Sequence, residues 1–292
     1  MELIDLDGLI EKYKLPEEEH RIILEKLKND IFPPKLTTSH PSAMFVIGQP
    51  GCGKTTFIQN SDMVDYISIN SDDYRHLSKY SDEILERYPI YYAKLTNYDA
   101  HLWGDELFSY GISNGYSVLR EKAPVDYSLL ALFKGLDDKC NLSIYLVATG
   151  NLTSLLATRE RYEKEILKSR KAKLSSIEAH NKCYDLLPEF VSQCLQLGIK
   201  VNYAIPENNN FRIIKAESNN GLRLLSQIRQ ESNKEASVSF ESRINNIKEA
   251  MNKRNEPQQQ FEELSKIERM YIEFIHGDNS KSKKSEKVKN EK

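Results

Sequence analysis

The chain has 292 residues, 39% of them hydrophobic and 29% charged, with 41 Lys and Arg against 43 Asp and Glu for a formal net charge of -2. That length suffices for one substantial core with appendages or at most two small domains, and the near-neutral balance gives no global electrostatic attraction to nucleic acid or a membrane surface. Four cysteines without CxxC spacing, no signal-like start and no apolar stretch long enough to span a bilayer predict a soluble, cytoplasmic protein with reduced thiols.

Residues 16–31 carry Ile22, Ile23, Leu24, Leu27 and Ile31 among charges, the spacing of an amphipathic helix packed on the domain, and Pro33-Pro34 stops it. Residues 1–40 are therefore expected to form a helical N-terminal extension. Residues 43–47 are a short continuous apolar run, as in a strand buried on both faces of a parallel sheet. Directly after it, Gly48-Gln49-Pro50-Gly51-Cys52-Gly53-Lys54-Thr55 fits G-x-x-x-x-G-K-[ST] at every specified position. Backbone N–H groups of such a loop wrap phosphates, which needs glycine for the tight path; the lysine reaches the β- and γ-phosphates and the hydroxyl holds Mg²⁺. Residues 55–59 can open the helix that must follow. The nucleotide-binding set is thus Gly48, Gln49, Pro50, Gly51, Cys52, Gly53, Lys54, Thr55 and Thr56, with Thr55 as the metal ligand. Cys52 reads as a small loop residue without a redox role.

A second strand over 64–70 runs into Ser71-Asp72-Asp73-Tyr74-Arg75, placing carboxylates at a strand's carboxyl end, where an open α/β sheet binds ligands. One aspartate can cap the next helix while the other faces a γ-phosphate and an acceptor hydroxyl. Residues 91–115 read mostly as a helix with Leu95, Leu102, Trp103, Leu107 and Phe108 apolar, ended by Gly115. A strand over 116–119 then reaches the charged run Arg120-Glu121-Lys122-Ala123-Pro124. A helix over 126–139 and a strand over 142–148 follow, so the alternation is that of a parallel sheet.

Residues 151–168 form a helix with Arg159, Arg161 and Tyr162, leading to the basic run Lys168, Arg170, Lys171 and Lys173. Arginines here can stabilise charge on a transferring phosphoryl group, or lie on a solvated face. A helix over 175–197 ends before Gly198, and 200–205 is expected as the last sheet strand. His180 on that helix reads as an ordinary hydrogen-bonded side chain, and no His, Cys and Asp cluster has metal-ligand spacing. The fold class is therefore α/β: a P-loop NTPase-type, mostly parallel sheet flanked by helices, with helical N- and C-terminal extensions and the P-loop domain over 41–235.

Beyond it, residues 211–215 suit a short strand, and 221–230, 240–251 and 259–274 suit helices. The helices over 236–276 form a C-terminal extension that can pack as a hairpin, recruit a protein or engage a partner chain. Residues 277–292 are lysine-rich, almost free of apolar side chains and expected to be a disordered basic tail. No aromatics interleave with the lysines, so nucleic-acid binding is not expected.

In the order of these elements the chain resembles the zeta toxin family of small-molecule kinases over roughly residues 31–205. Ser71-Asp72-Asp73-Tyr74-Arg75 stands where the family has a Gly-Asp-x-Phe-Arg-like signature, which implies Asp72 as the general base that deprotonates a sugar hydroxyl for attack on the γ-phosphate of ATP or GTP. Glu121-Lys122-Ala123 stands at the family's Glu-Gly-Thr. The glutamate is kept, one hydroxyl is lost and one cation is added beside the acceptor pocket. Arg161-Tyr162-Glu163 and Glu178-Ala179-His180 match two later signatures in order. The second phosphate-binding basic residue falls at Lys173 by spacing, with Arg170 the nearest arginine. The resemblance implies Asp72, Lys54 and Arg161 as catalytic residues, Asp72, Arg75 and Glu121 on the substrate, Mg²⁺ at Thr55, and phosphorylation of UDP-N-acetylglucosamine at the 3'-hydroxyl of its amino sugar. It also implies a small antitoxin obstructing the nucleotide site. The alternatives are a P-loop kinase for another small molecule or a nucleic-acid end, and a nucleotide-binding interaction protein that has lost catalysis.

Overall fold

In a computed structural model the described residues are 5–34, 36–88, 91–136, 139–169, 174–208 and 210–290, with side chains left aside at 259 and from 277 onward. Helix α1 (Leu6–Lys12) is started by Asp5, whose carboxylate accepts the Gly8 amide at 3.0 Å. Helix α2 (Glu17–Ile31) follows Pro16 and turns His20, Leu24 and Leu27 inward. Next come β1 (Ser42–Ile47), α3 (Lys54–Asn60), β2 (Ile67–Ile69), a 3-10 helix (Ser71–Leu77), α4 (Ser81–Arg87), α5 (Tyr92–Leu95), α6 (Asn97–Ser113), β3 (Val118–Lys122), α7 (Ser128–Lys134), β4 (Asn141–Val147), α8 (Asn151–Ser169) and α9 (Ile177–Gln196). The chain ends with β5 (Lys200–Glu207), β6 (Asn210–Lys215), α10 (Gly221–Lys253) and α11 (Gln258–Asn290).

The six strands lie in the order β2-β3-β1-β4-β5-β6. All neighbours pair parallel except β5 and β6, which form an antiparallel hairpin. Side chains alternate across each strand, and the two faces are distinct. Ala43, Phe45, Ile47, Val118, Ile144 and Leu146 pack with Trp103, Phe108, Phe133 and Phe190 beneath α6, α7 and α9. Met44, Val46, Leu119 and Val147 face Phe57 of α3, with Tyr145 and Phe211 alongside. A smaller core joins Leu152, Leu155 and Leu156 of α8 to Phe240, Ile244 and Ile247 of α10 and Leu264 and Ile267 of α11. Among the described residues no helix is long and apolar enough to cross a membrane.

The mostly parallel sheet between helices agrees with the sequence reading, and five elements depart from it. Strand β3 starts at Val118 because Gly115, at φ 80°, and Tyr116 are used in a turn: Thr38 N–H donates to Gly115 O at 2.7 Å and Thr37 bridges Tyr116. Arg120, Glu121 and Lys122 therefore lie in the strand, not beyond it. The helix expected over 91–115 breaks at Thr96, whose hydroxyl turns back onto Tyr92 O at 2.7 Å. The sheet continues past β5 through β6. Helix α10 is unbroken across residues 231–239, where polar residues suggest a gap, because Asn233 is buried: it accepts the Leu152 amide at 3.1 Å and donates to Asn151 Oδ1 at 2.8 Å. The backbone of α11 runs on to Asn290, through the lysine-rich stretch that composition reads as disordered.

Candidate active site

The register fixes where the chemistry gathers. Ile47 at the end of β1 pairs with Lys122, and Ile69 at the end of β2 pairs with Arg120. The phosphate loop and the Asp72 segment thus leave the sheet at one rim, with the last residues of β3 between them. This is the carboxyl edge, at the point where connections diverge to either side of β1, the ligand position of open α/β sheets.

The loop's glycines carry the path. Gly48, Gly51 and Gly53 have φ of 153°, 78° and 99°, and a Cβ on Gly51 would stand 2.1 Å from Ser154 O and 2.7 Å from Thr158 Cγ2. Lys54, buried, donates to the carbonyls of Gly48 at 2.9 Å and Gln49 at 3.2 Å. Gln49 is buried too, and its amide donates to Thr149 O, Thr149 Oγ1 and Ser154 Oγ at 3.2, 3.0 and 3.2 Å. Ser154 Oγ in turn meets His180 Nε2 at 2.7 Å. His180 is therefore fully buried behind the loop, in a hydrogen-bond chain that braces it on α8. Cys52 is sealed in, and burial pushes its thiol pKa up, away from a reactive thiolate.

Alternation along β3 divides its last three side chains between two faces. Glu121 points to α3, where its Oε2 accepts the Thr55 hydroxyl at 2.9 Å and its Oε1 lies 3.9 Å from Lys54 Nζ. Arg120 and Lys122 point to α6 and share Asp105 Oδ1, at 2.6 Å and 3.4 Å. Thr55 and Glu121 supply the hard oxygen donors that Mg²⁺ takes together with substrate phosphates, so these residues fit that ion. Among the described residues no group of three or more His, Cys, Asp and Glu forms a protein-only metal cage, which a phosphate-bound Mg²⁺ does not need.

Asp72 opens the 3-10 helix with Asn70 as its cap: Asn70 Oδ1 accepts the Asp72 amide at 3.1 Å. The capping side chain is thus Asn70, leaving the Asp72 carboxylate half-exposed, where Arg75 Nε donates to it at 2.7 Å. Arg75, read as a substrate contact, is buried, and its remaining donors go to Ala93 O, Thr96 Oγ1 and Asn97 Oδ1 at 2.7, 2.9 and 2.7 Å. It orients Asp72. Burial, then the charges of Asp72 and Glu121, raise the pKa of Asp73. His101 on α6 is solvent-accessible yet walled by protein, and desolvation with the charges of Lys122 and Arg75 pushes it down to about 4, so it is neutral at pH 7. Desolvation and then Arg120 bring Lys122 down to about 8, while Arg120 and Lys122 outweigh burial to hold Asp105 below the usual carboxylate range.

Arg161 lies half-exposed on α8, 3.8 Å from Glu165. Seven residues past Ser154, it continues the loop-facing stripe of α8 about two turns, or about 10 Å, farther along. Arg159 is the buried arginine there, donating to Gln260 Oε1 at 3.0 Å. Lys173 and Arg170 lie outside the described residues. His101 and Asp105 escaped the sequence reading because their helix was judged by its apolar face. Thr149 and Ser154 escaped it because their partner is about a hundred positions away. A cavity of about 700 Å³, lined by Met44, Phe133 and Cys140 among others, opens at the amino ends of β1, β4 and β5, away from this rim.

A family model for zeta toxin matches residues 26–218. Among solved structures, one from the PezAT chromosomal toxin-antitoxin system of Streptococcus pneumoniae superposes with a TM-score of 0.66 at 20% identity, covering 80% of this chain and 98% of that one. The AvrRxo1-ORF1:-ORF2 complex gives 0.52 at 11% identity over 72% of each chain, and the same complex with ATP gives 0.51 at 10% over 72% and 71%. No curated protein matches the chain. At these identities the solved structures establish a common fold.

Proposed function

The chain belongs to the zeta toxin family, and from that premise we propose that it is a kinase moving the γ-phosphate of ATP or GTP to a hydroxyl of a sugar nucleotide such as UDP-N-acetylglucosamine. The observation that carries this reading is the shared rim: a complete phosphate loop, Glu121 on its threonine, and an Asp72 carboxylate held by a buried arginine on the adjoining strand end. That a structural neighbour was solved with ATP supports the nucleotide half of the reading.

Loop amides and Lys54 hold the β- and γ-phosphates, the lysine giving up the Gly48 and Gln49 carbonyls to do so. Thr55 and Glu121 would hold Mg²⁺, which when bound would neutralise phosphate charge. Asp72 accepts the proton of the acceptor hydroxyl as that oxygen bonds to the γ-phosphorus and the bond to the β–γ bridging oxygen breaks, its electron pair leaving with the nucleoside diphosphate. Arg161, with Lys173 or Arg170 as a second cation, balances charge on the equatorial oxygens. The PezAT and AvrRxo1 assemblies support a further part of the reading, that a protein antitoxin restrains this chain.

Incubation with Mg-ATP or Mg-GTP and a metabolite panel containing UDP-N-acetylglucosamine, followed by mass spectrometry, tests the reaction. A product heavier by one phosphoryl group, lost in Lys54→Ala and Asp72→Ala while the fold persists, is expected. Nucleotide binding with no phosphorylated product from any acceptor overturns it. Growth arrest on expression, relieved by Asp72→Ala, tests toxicity.

A further inference from the structure

Beside Asp72 the cleft holds a cation with too few acceptors. Lys122 leaves β3 toward α6, and its side chain is 16% exposed. An ammonium has three hydrogens to donate, yet the one hydrogen-bond partner of the Lys122 ammonium among the described residues is Asp105 Oδ1 at 3.4 Å, an oxygen that Arg120 Nη1 already holds at 2.6 Å. Two cations thus share one carboxylate, while Arg75 and Asp72 pair with each other. The α6 side of the cleft carries a surplus positive charge, whereas on the loop side Glu121 lies 3.9 Å from Lys54.

Arg120 has two further donors, Nε and Nη2, buried without a hydrogen-bond partner among the described residues, but at 1% exposure it is too deep to meet a ligand. Lys122 is the group of the pair that can reach one. A compact ammonium acts as a point charge suited to phosphate.

We propose that Lys122 is a specificity-determining residue that binds a phosphate group of the acceptor, so that phosphate-bearing small molecules are taken in preference to neutral ones. The inference rests on the reading of this cleft as the acceptor side of the kinase. It gives the Lys122-Ala123 departure a function: the added cation replaces recognition through a hydroxyl with recognition of an anion.

The test saturates the loop with Mg-AMPPNP and titrates N-acetylglucosamine 1-phosphate, UDP-N-acetylglucosamine and neutral N-acetylglucosamine by calorimetry into wild type, Lys122→Met and Lys122→Arg. One charge-assisted contact corresponds to roughly 10- to 100-fold in affinity. Wild type is expected to bind at least one phosphate-bearing ligand tighter than the neutral sugar by about that factor, Lys122→Met to lose it, and Lys122→Arg to recover much of it, with circular dichroism verifying the fold. Equal affinities in wild type and Lys122→Met, or no phosphate-bearing ligand bound by wild type, overturn the inference. Phosphoryl transfer is scored separately. Lysine-dependent binding without transfer sinks the kinase reading alone, and transfer that ignores Lys122 sinks this inference alone.

Discussion

Thr55 donates its hydroxyl hydrogen to Glu121 Oε2 at 2.9 Å, joining the first turn after the phosphate loop to the end of the neighbouring strand. With Lys54 Nζ 3.9 Å from the other oxygen, Glu121 faces the phosphate loop, although the family likeness sets it on the acceptor. Glu121→Gln keeps the shape and removes the charge. Transfer is expected to fall roughly 100-fold, the scale of losing one preorganised electrostatic group, with half-saturation at higher Mg²⁺. Initial rates across a Mg²⁺ series measure both, and an unchanged Mg²⁺ dependence would assign Glu121 to the acceptor instead.

Arg75 is expected to act through Asp72. Its guanidinium is buried and meets four oxygens on the Asp72, Ala93, Thr96 and Asn97 residues. Arg75→Ala strands Thr96 and Asn97 and frees Asp72 to rotate. A destabilisation of about 3 kcal/mol is expected, the lower end for breaking a buried ion pair because Asp72 is half-exposed. Arg75→Lys keeps the charge without the fork, so kcat should drop with little change in the KM for ATP. Urea unfolding and steady-state kinetics separate the two; a shift confined to the ATP KM would place Arg75 on the nucleotide.

Local signals in the chain made the loop and the sheet legible. The glycine spacing, the apolar run of β1 and the alternation of elements each depend on neighbours a few positions apart. The bracing of the loop was not legible, because Gln49 meets Ser154, 105 positions on, and no periodicity reports a contact of that kind. The contacts of Arg75 were hidden for a related reason: an arginine beside a candidate base reads as a substrate group, and only folding brings Thr96 and Asn97 against it. The unbroken α10 was hidden by residues 231–239, whose polar side chains look like a loop but include Asn233, bonded inward to α8.

Gly51→Ala tests the loop without touching a charged group. At φ 78° an alanine costs about 1–2 kcal/mol in backbone strain, and its Cβ would lie 2.1 Å from Ser154 O. Ser154 belongs to the rigid chain through Gln49 and His180, so the loop must move rather than α8. Affinity for a fluorescent ATP analogue is expected to fall roughly 10-fold or more, in step with that strain. Wild-type affinity would mean that the loop has another path for binding phosphate.

His20 makes stability depend on pH at the N-terminal extension. Its buried ring is held by Asp99 Oδ1 at 2.8 Å and Glu106 Oε2 at 3.0 Å, and it stacks on Trp103. Burial alone lowers its pKa, but the hydrogen bonds and charges of Asp99 and Glu106 outweigh that and raise it. The folded chain therefore holds the proton more tightly than the unfolded one. That contribution is complete below about pH 6.5, the unfolded value, and is lost as pH rises through the higher folded value. His20→Gln should cost on the order of 1–2 kcal/mol at pH 6 and markedly less at pH 9, measured as the difference between wild-type and variant unfolding curves. A difference that stays flat with pH would mean that the ring is neutral in the folded protein and that α2 is tied to α6 by packing and the Trp103 to His20 carbonyl bond at 3.1 Å alone.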